Sequence, residues 1–185
     1  RTIHAQNEVS YRGTVGQRLG LNITGAKLHA RGAGRGNWLV SRPLHAPTKC
    51  LDTEVCLLGI ETNALKAWTN VHLHIGTAQI MARLGLIDGN ELEPGSKGFA
   101  QLIPHHPVSA LYGDRFILRN ASADRIIGGG RVIDPFATTR GRRQRERLMR
   151  LAALDHPATG KALRALLKVS LRGVDLSAFA LARNL

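Results

Sequence analysis

Over the first 119 residues, apolar side chains recur at every second position. Residues 19–23, 71–75 and 80–86 each alternate an apolar row with a second row that is glycine or polar except at Met81. A period of two directs one row toward a core and the other toward water or a partner, which predicts β-strands. Turn-forming sequences at 34–37, 88–90, 93–95 and 113–114 separate the runs. Many short strands with frequent turns predict a mainly β fold built as an antiparallel barrel or sandwich.

The pattern changes at two places along the chain. Pro43 and Pro47 interrupt strand pairing and suggest a linker, and the three or four strands before it are too few to close a barrel. After Pro135 the apolar spacing becomes helical, with Asp175 as a candidate N-cap of a third helix. We therefore predict a partial β-barrel at 1–43, a complete barrel at 44–136, and a basic linker leading into a partial winged-helix module at 137–185.

The charge balance indicates a polyanionic partner. The chain has 26 Lys and Arg against 13 Asp and Glu, a net charge of +13. Basic residues gain affinity for nucleic acid by releasing counterions from phosphates, although a merely soluble basic surface is an alternative. Six arginines between 140 and 150 form either a solvated tether or a phosphate-binding patch. A tether needs no charge of one sign, so contact with RNA is favoured for this basic linker, which includes Arg140, Arg142, Arg143 and Arg145.

Several other functions find no support in the residue pattern. The glycines at 128–130 are not followed by the Gly-Lys-Ser/Thr of a phosphate loop. Cys50 and Cys56 are six apart, which matches no common zinc motif, and we expect both to be reduced strand residues. We expect no catalytic site, metal or cofactor within this chain. No run of 18 apolar residues exists, so no membrane span is predicted either.

Two sequence blocks resemble the third domain of elongation factor Tu and its relatives: GDRFILR at 113–119 and RIIGGGRV at 125–132. Further blocks narrow the resemblance to the selenocysteine-specific translation elongation factors. They are IHAQN at 3–7, GQR at 16–18 with LNI at 21–23, RGNWL at 35–39, LHIGT at 73–77 and GVDLSAFALAR at 173–183. Asn37 stands where an aspartate is usual, and Ile126-Ile127 replaces a more polar pair. The resemblance implies the end of domain II, domain III, and the start of the winged-helix region.

The resemblance also implies site residues. Arg18 corresponds to an arginine beside the aminoacyl end of the tRNA. Because a selenol is largely ionised at neutral pH and a serine hydroxyl is not, a fixed cation there would select selenocysteine. The residues expected to contact the tRNA are His74, Thr77, Arg115, Arg119, Arg125, Gly128, Gly129 and Arg131.

For the intact protein, the resemblance implies GTP-dependent delivery of selenocysteinyl-tRNA to the ribosome at recoded stop codons. The GTPase domain, with GTP and magnesium, would precede Arg1, and later winged-helix domains would read an mRNA hairpin. The protein would be cytoplasmic and make no membrane contact. An alternative is a ribosomal or other structural RNA-binding β-barrel without aminoacyl specificity, and the effect of replacing Arg18 would distinguish the two.

Overall fold

A computed structural model describes residues 2–24 and 34–185, which fall into two compact units, residues 1–37 and 38–185. In the first unit, the described residues form a three-stranded antiparallel sheet in the order β2-β1-β3. Its strands are β1 (Thr2–Ala5), β2 (Glu8–Ser10) and β3 (Leu19–Asn22). Gln6 and Asn7, both at positive φ, make the two-residue turn that joins β1 to β2.

The second unit contains a closed barrel of six antiparallel strands in the order β10-β11-β4-β9-β7-β6. A 3-10 turn (Arg42–Leu44) precedes it, and β5 and β8 pair beside it. The strands of this unit are β4 (Leu51–Leu57), β5 (Leu65–Lys66), β6 (Thr69–Ile75), β7 (Ala78–Leu86), β8 (Glu91–Leu92), β9 (Lys97–Pro104), β10 (Arg115–Arg119) and β11 (Ile126–Asp134).

The alternating apolar rows fill the barrel. Val71, Leu73 and Ile75 of β6 are buried, as are Phe116 and Leu118 of β10, while the residues between them lie on the outer surface. This is the arrangement that a period of two predicts for a closed sheet. The prediction of a mainly β fold with an antiparallel barrel is confirmed.

Three helices follow the barrel: α1 (Arg145–Leu154), α2 (Thr159–Val169) and α3 (Leu176–Ala182). Asp175 caps α3 as predicted, because its Oδ1 accepts a 3.0 Å hydrogen bond from the amide of Ala178. The helices bury Leu151, Leu166 and Phe179 together with the barrel residues Ile87 and Ile133. They therefore share a compact unit with the barrel. The division into parts at 1–43, 44–136 and 137–185 stays a prediction.

Candidate nucleic-acid interface

One side of the barrel surface carries the outward residues of β6 and β10. Because Phe116 and Leu118 point inward, Arg115, Ile117 and Arg119 point out. The strand register places Arg119 opposite His72 and Ile117 opposite His74. We call the set Arg115, Ile117, Arg119, His72 and His74 the outer row. Thr77 is exposed in the turn that joins β6 to β7.

The two arginines of the outer row differ from Arg131, which lies opposite Arg115 and is bound to carboxylates. Within residues 2–24 and 34–185, neither Arg115 nor Arg119 forms an ion pair with an aspartate or glutamate. The Nε atom of Arg119 is buried and has no hydrogen-bond partner. Guanidinium groups bind phosphate oxygens through several parallel hydrogen bonds, so these two are available for a phosphate backbone.

Arg125 lies beside the outer row but its charge is shared. The Oδ1 atom of Asn120 accepts hydrogen bonds from the amides of Asp124 and Arg125, at 3.2 and 3.4 Å, which shapes the turn before β11. The exposed guanidinium of Arg125 then forms an ion pair with Glu61. Hydrogen bonding to Glu61 raises the pKa of Arg125. A phosphate at this position would compete with Glu61 for the guanidinium.

The glycines of β11 have a clear role inside the barrel. A Cβ atom on Gly128 would lie 2.4 Å from the carbonyl oxygen of Cys56, and one on Gly130 would lie 1.9 Å from that of Glu54. A Cβ on Gly129 would lie 2.7 Å from the carbonyl oxygen of Phe116. All three glycines therefore permit neighbouring strands to approach closely. Contact of Gly128 or Gly129 with tRNA stays a prediction.

Arg131 is bound to two carboxylates. Its Nη2 atom donates to Glu54 at 3.0 Å and forms an ion pair with Asp155, the residue that ends α1. Partial burial opposes the charged form of Arg131, but Asp155 and Glu54 outweigh it and raise its pKa. The side chain thus links β11 and β4 to the helices. Its predicted contact with tRNA is untested, and a phosphate would have to displace these carboxylates.

The basic linker contacts the barrel at several points. The guanidinium of Arg142 lies 4.2 Å from the ring centroid of Trp68, and Arg143 donates to the carbonyl of Gly89 at 3.4 Å. Arg140 and Arg145 have exposed side chains. A solvated tether would make no such contacts, so part of this segment is docked on the barrel. Whether Arg140, Arg142, Arg143 and Arg145 bind RNA remains a prediction.

Comparison with known proteins decides the family. Residues 52–139 match the family model described as "Selenocysteine-specific elongation factor, beta-barrel domain". The chain belongs to the selenocysteine-specific elongation factors. The factor of Desulfomicrobium baculatum is 32% identical over 86% of this chain and 25% of its own length. That of Escherichia coli is 32% identical over all of this chain and 28% of its own length. The chain spans about a quarter of the length of these curated relatives.

Within this elongation-factor chain, Arg18 lies in the first compact unit. Its exposed side chain follows β2 and borders an open groove that is also lined by His4, Asn7 and Gln17. Among the described residues it forms no ion pair, so its charge is free to meet an anionic group. The role of Arg18 at the aminoacyl end stays a prediction.

Sequence reasoning missed a buried ion pair between helix α1 and the barrel. Arg147 donates from Nε and Nη2 to the two carboxylate oxygens of Asp52, at 2.7 Å each. The Asp52 side chain is 2% exposed and that of Arg147 11%. Gln101, fully buried, donates to Asp52 at 3.3 Å and to the carbonyl of Thr138 at 3.0 Å. The sequence signal that could have indicated this site is Asp52, a charged residue between Leu51 and Thr53 at the start of a strand.

The described residues contain no cluster of three or more His, Cys, Asp or Glu side chains that could hold a metal ion. Cys50 and Cys56 are free thiols, and burial raises the pKa of Cys50 to about 11. No helix in the described part of the chain is long and apolar enough to cross a membrane.

Proposed function

We propose that this chain is the tRNA-binding portion of a selenocysteine-specific elongation factor, and that its outer row holds the acceptor and T arms of selenocysteinyl-tRNA. The observation that carries this proposal is the pair Arg115 and Arg119, outward on one strand and free of carboxylate partners among the described residues. Phosphate contacts of this kind position a nucleic acid without reading its sequence. The names of the relatives supply the translational context.

The intact factor would act with parts of the protein outside these 185 residues. A GTPase domain would bind GTP and magnesium and would couple hydrolysis to release of the tRNA on the ribosome. Helices α1 to α3 would begin a first winged-helix module, and later winged-helix domains would bind an mRNA hairpin at the recoded stop codon. The factor would work in the cytoplasm.

Selection of selenocysteine would depend on Arg18. A selenolate is anionic at neutral pH, whereas the hydroxyl of a seryl group is neutral, so a guanidinium binds the first more tightly. In the full-length factor, Arg18→Gln should reduce the affinity ratio between selenocysteinyl- and seryl-tRNA. An unchanged ratio would place the discrimination elsewhere and would leave the alternative of a general RNA-binding barrel open for this chain.

The outer row can be tested directly with the chain. Binding to an RNA minihelix of the acceptor and T arms is measured at several salt concentrations, for the wild type and for Arg115→Gln/Arg119→Gln. The slope of log K against log salt is negative, and each lost phosphate contact should reduce its magnitude by about 1. The double variant should therefore reduce the magnitude by about 2. Lys161→Gln/Arg164→Gln is the matched control, because it removes two exposed charges from α2. Equal effects of the two double variants would contradict the proposal.

A further inference from the structure

Trp68 lies on the barrel surface in an unusual backbone conformation. It sits just before β6 with φ +68°, in the left-handed region, and its side chain is 45% exposed. A bulky residue in this region costs roughly 1–3 kcal/mol of backbone strain, which glycine at the same position would avoid. Its amide donates to the carbonyl of Leu84 at 2.6 Å, which fixes the turn against β7. The conformation therefore presents a large indole at the surface where a smaller residue would fit better.

Two guanidinium groups lie over this indole. Arg83, an outward residue of β7, is 4.9 Å from the ring centroid, and Arg142 of the basic linker is 4.2 Å from it. Gly85 leaves room for the second guanidinium, because a Cβ atom there would lie 2.0 Å from the Nη1 atom of Arg142. Attraction between a cation and the face of an indole holds each guanidinium in place while its outer edge stays available.

Neither of these arginines has a carboxylate partner within the described ranges 2–24 and 34–185. The Nη1 atom of Arg142 is buried and lacks a hydrogen-bond partner. Burial, together with the neighbouring charges of Arg143 and Arg147, lowers the pKa of Arg142. Arg83 and Arg142 thus bring together two charges without a counterion and one buried unsatisfied donor, which are features of an anion-binding site.

This group of residues lies close to the outer row on the same barrel surface. Arg119 pairs with His72, and His72 pairs in turn with Met81 of β7. Arg83 is two positions farther along β7 and points to the same side as Met81. Two strand spacings and two residues along a strand separate Arg83 from Arg119 by roughly 12 Å. An RNA backbone of a few nucleotides can therefore contact both places.

We propose that Trp68, Arg83 and Arg142 form a second contact for the ribose-phosphate backbone of the RNA that the outer row binds. The indole orients the two guanidinium groups, and their free edges donate to phosphate oxygens. The RNA-binding surface thus extends from β10 across β6 and β7 to the basic linker. This inference rests on the proposed function, because it assigns a further contact to the same RNA.

The minihelix measurement tests the second contact with Arg83→Gln/Arg142→Gln. The magnitude of the slope of log K against log salt should decrease by about 2, as for the outer row. The affinity at low salt should fall about tenfold. Lys161→Gln/Arg164→Gln again controls for the loss of two charges. The variant with all four arginines of the two contacts replaced should show the sum of both effects, since the contacts are more than 10 Å apart.

The Trp68→Asn variant distinguishes an effect on RNA binding from an effect on folding. Asparagine tolerates the left-handed region better than tryptophan, so the barrel should keep its thermal stability, while the loss of the indole frees both arginines and weakens RNA binding. If Arg115→Gln/Arg119→Gln weakens RNA binding and Arg83→Gln/Arg142→Gln leaves it at the wild-type level, the second contact alone is overturned. A wild type that does not bind the minihelix would overturn the proposed function and this inference with it.

Discussion

Arginines in two regions of this chain have opposite surroundings. At the seam between the barrel and the helices, Arg131 and Arg147 are bound to the carboxylates of Glu54, Asp155 and Asp52. On the outer row and beside Trp68, the arginines have no carboxylate partner in the part of the chain that the structure describes. The seam arginines are partly or largely buried, whereas Arg83 and Arg115 are exposed.

The difference shows that net charge alone does not locate a binding surface. Both regions contribute to the charge of +13, yet a guanidinium that already holds a carboxylate has little to offer a phosphate. The seam arginines join the basic linker and the helices to the barrel, so their replacement should change stability. The unpaired arginines hold no carboxylate, so their replacement should change RNA binding more than stability.

The largest effect is expected at the seam, for Asp52→Ala. Removing this carboxylate leaves the charge of Arg147 buried without its ion-pair partner, which should cost about 3–5 kcal/mol of unfolding free energy. Chemical denaturation followed by circular dichroism measures the loss. Asp52→Leu/Arg147→Met removes both charges and should recover most of it, because two apolar side chains replace a buried ion pair with little net cost. If the double variant were as unstable as Asp52→Ala, the ion pair itself would contribute net stability to the fold.

A smaller loss of unfolding free energy is expected for Gly130→Ala, a change on strand β11. In Gly130→Ala the new Cβ meets the carbonyl oxygen of Glu54, and the strands must move apart, at a cost of roughly 1–3 kcal/mol. Gly160→Ala is the control, since nothing lies within 4 Å of its Cβ position near the start of α2. That change should be neutral or slightly stabilising. If Gly130→Ala were equally harmless, close strand approach would not explain the glycines.

A weaker effect again is expected for Arg131→Gln. The Arg131 side chain is 32% exposed, so solvent screens its two ion pairs and the loss should be roughly 1 kcal/mol. Its affinity for the RNA minihelix, and the salt dependence of that affinity, should match the wild type. A reduced salt slope would instead assign Arg131 to the RNA-binding surface, as its place in the family motif suggests.

The sequence predicted the barrel because alternation in strands such as β6 and β10 is a local signal of burial. It also predicted the cap at Asp175, another local signal. The partners of the arginines could not be predicted, because Arg147 and Asp52 are 95 positions apart and meet only when the helices pack on the barrel. For the same reason the motif at 125–132 did not distinguish Arg125, near the outer row, from Arg131 at the seam. The sequence around Trp68 did not indicate a cation–π cluster, because the two stacked arginines come from β7 and from the basic linker.

The two cysteines provide the mildest test, since they differ in burial and only Cys50 lies beside the seam ion pair. Cys50 is buried near Asp52 and Arg147, and burial raises its pKa to about 11, so about a thousandth of it is thiolate at pH 8. Cys56 is partly exposed on β4, where it pairs with Gly129 on the outer surface of the barrel. Iodoacetamide at pH 8 should therefore modify Cys56 first, and mass spectrometry of the peptides would show the order. In denaturant both thiols should react alike, whereas equal rates in the native chain would mean that the seam opens faster than the reagent acts.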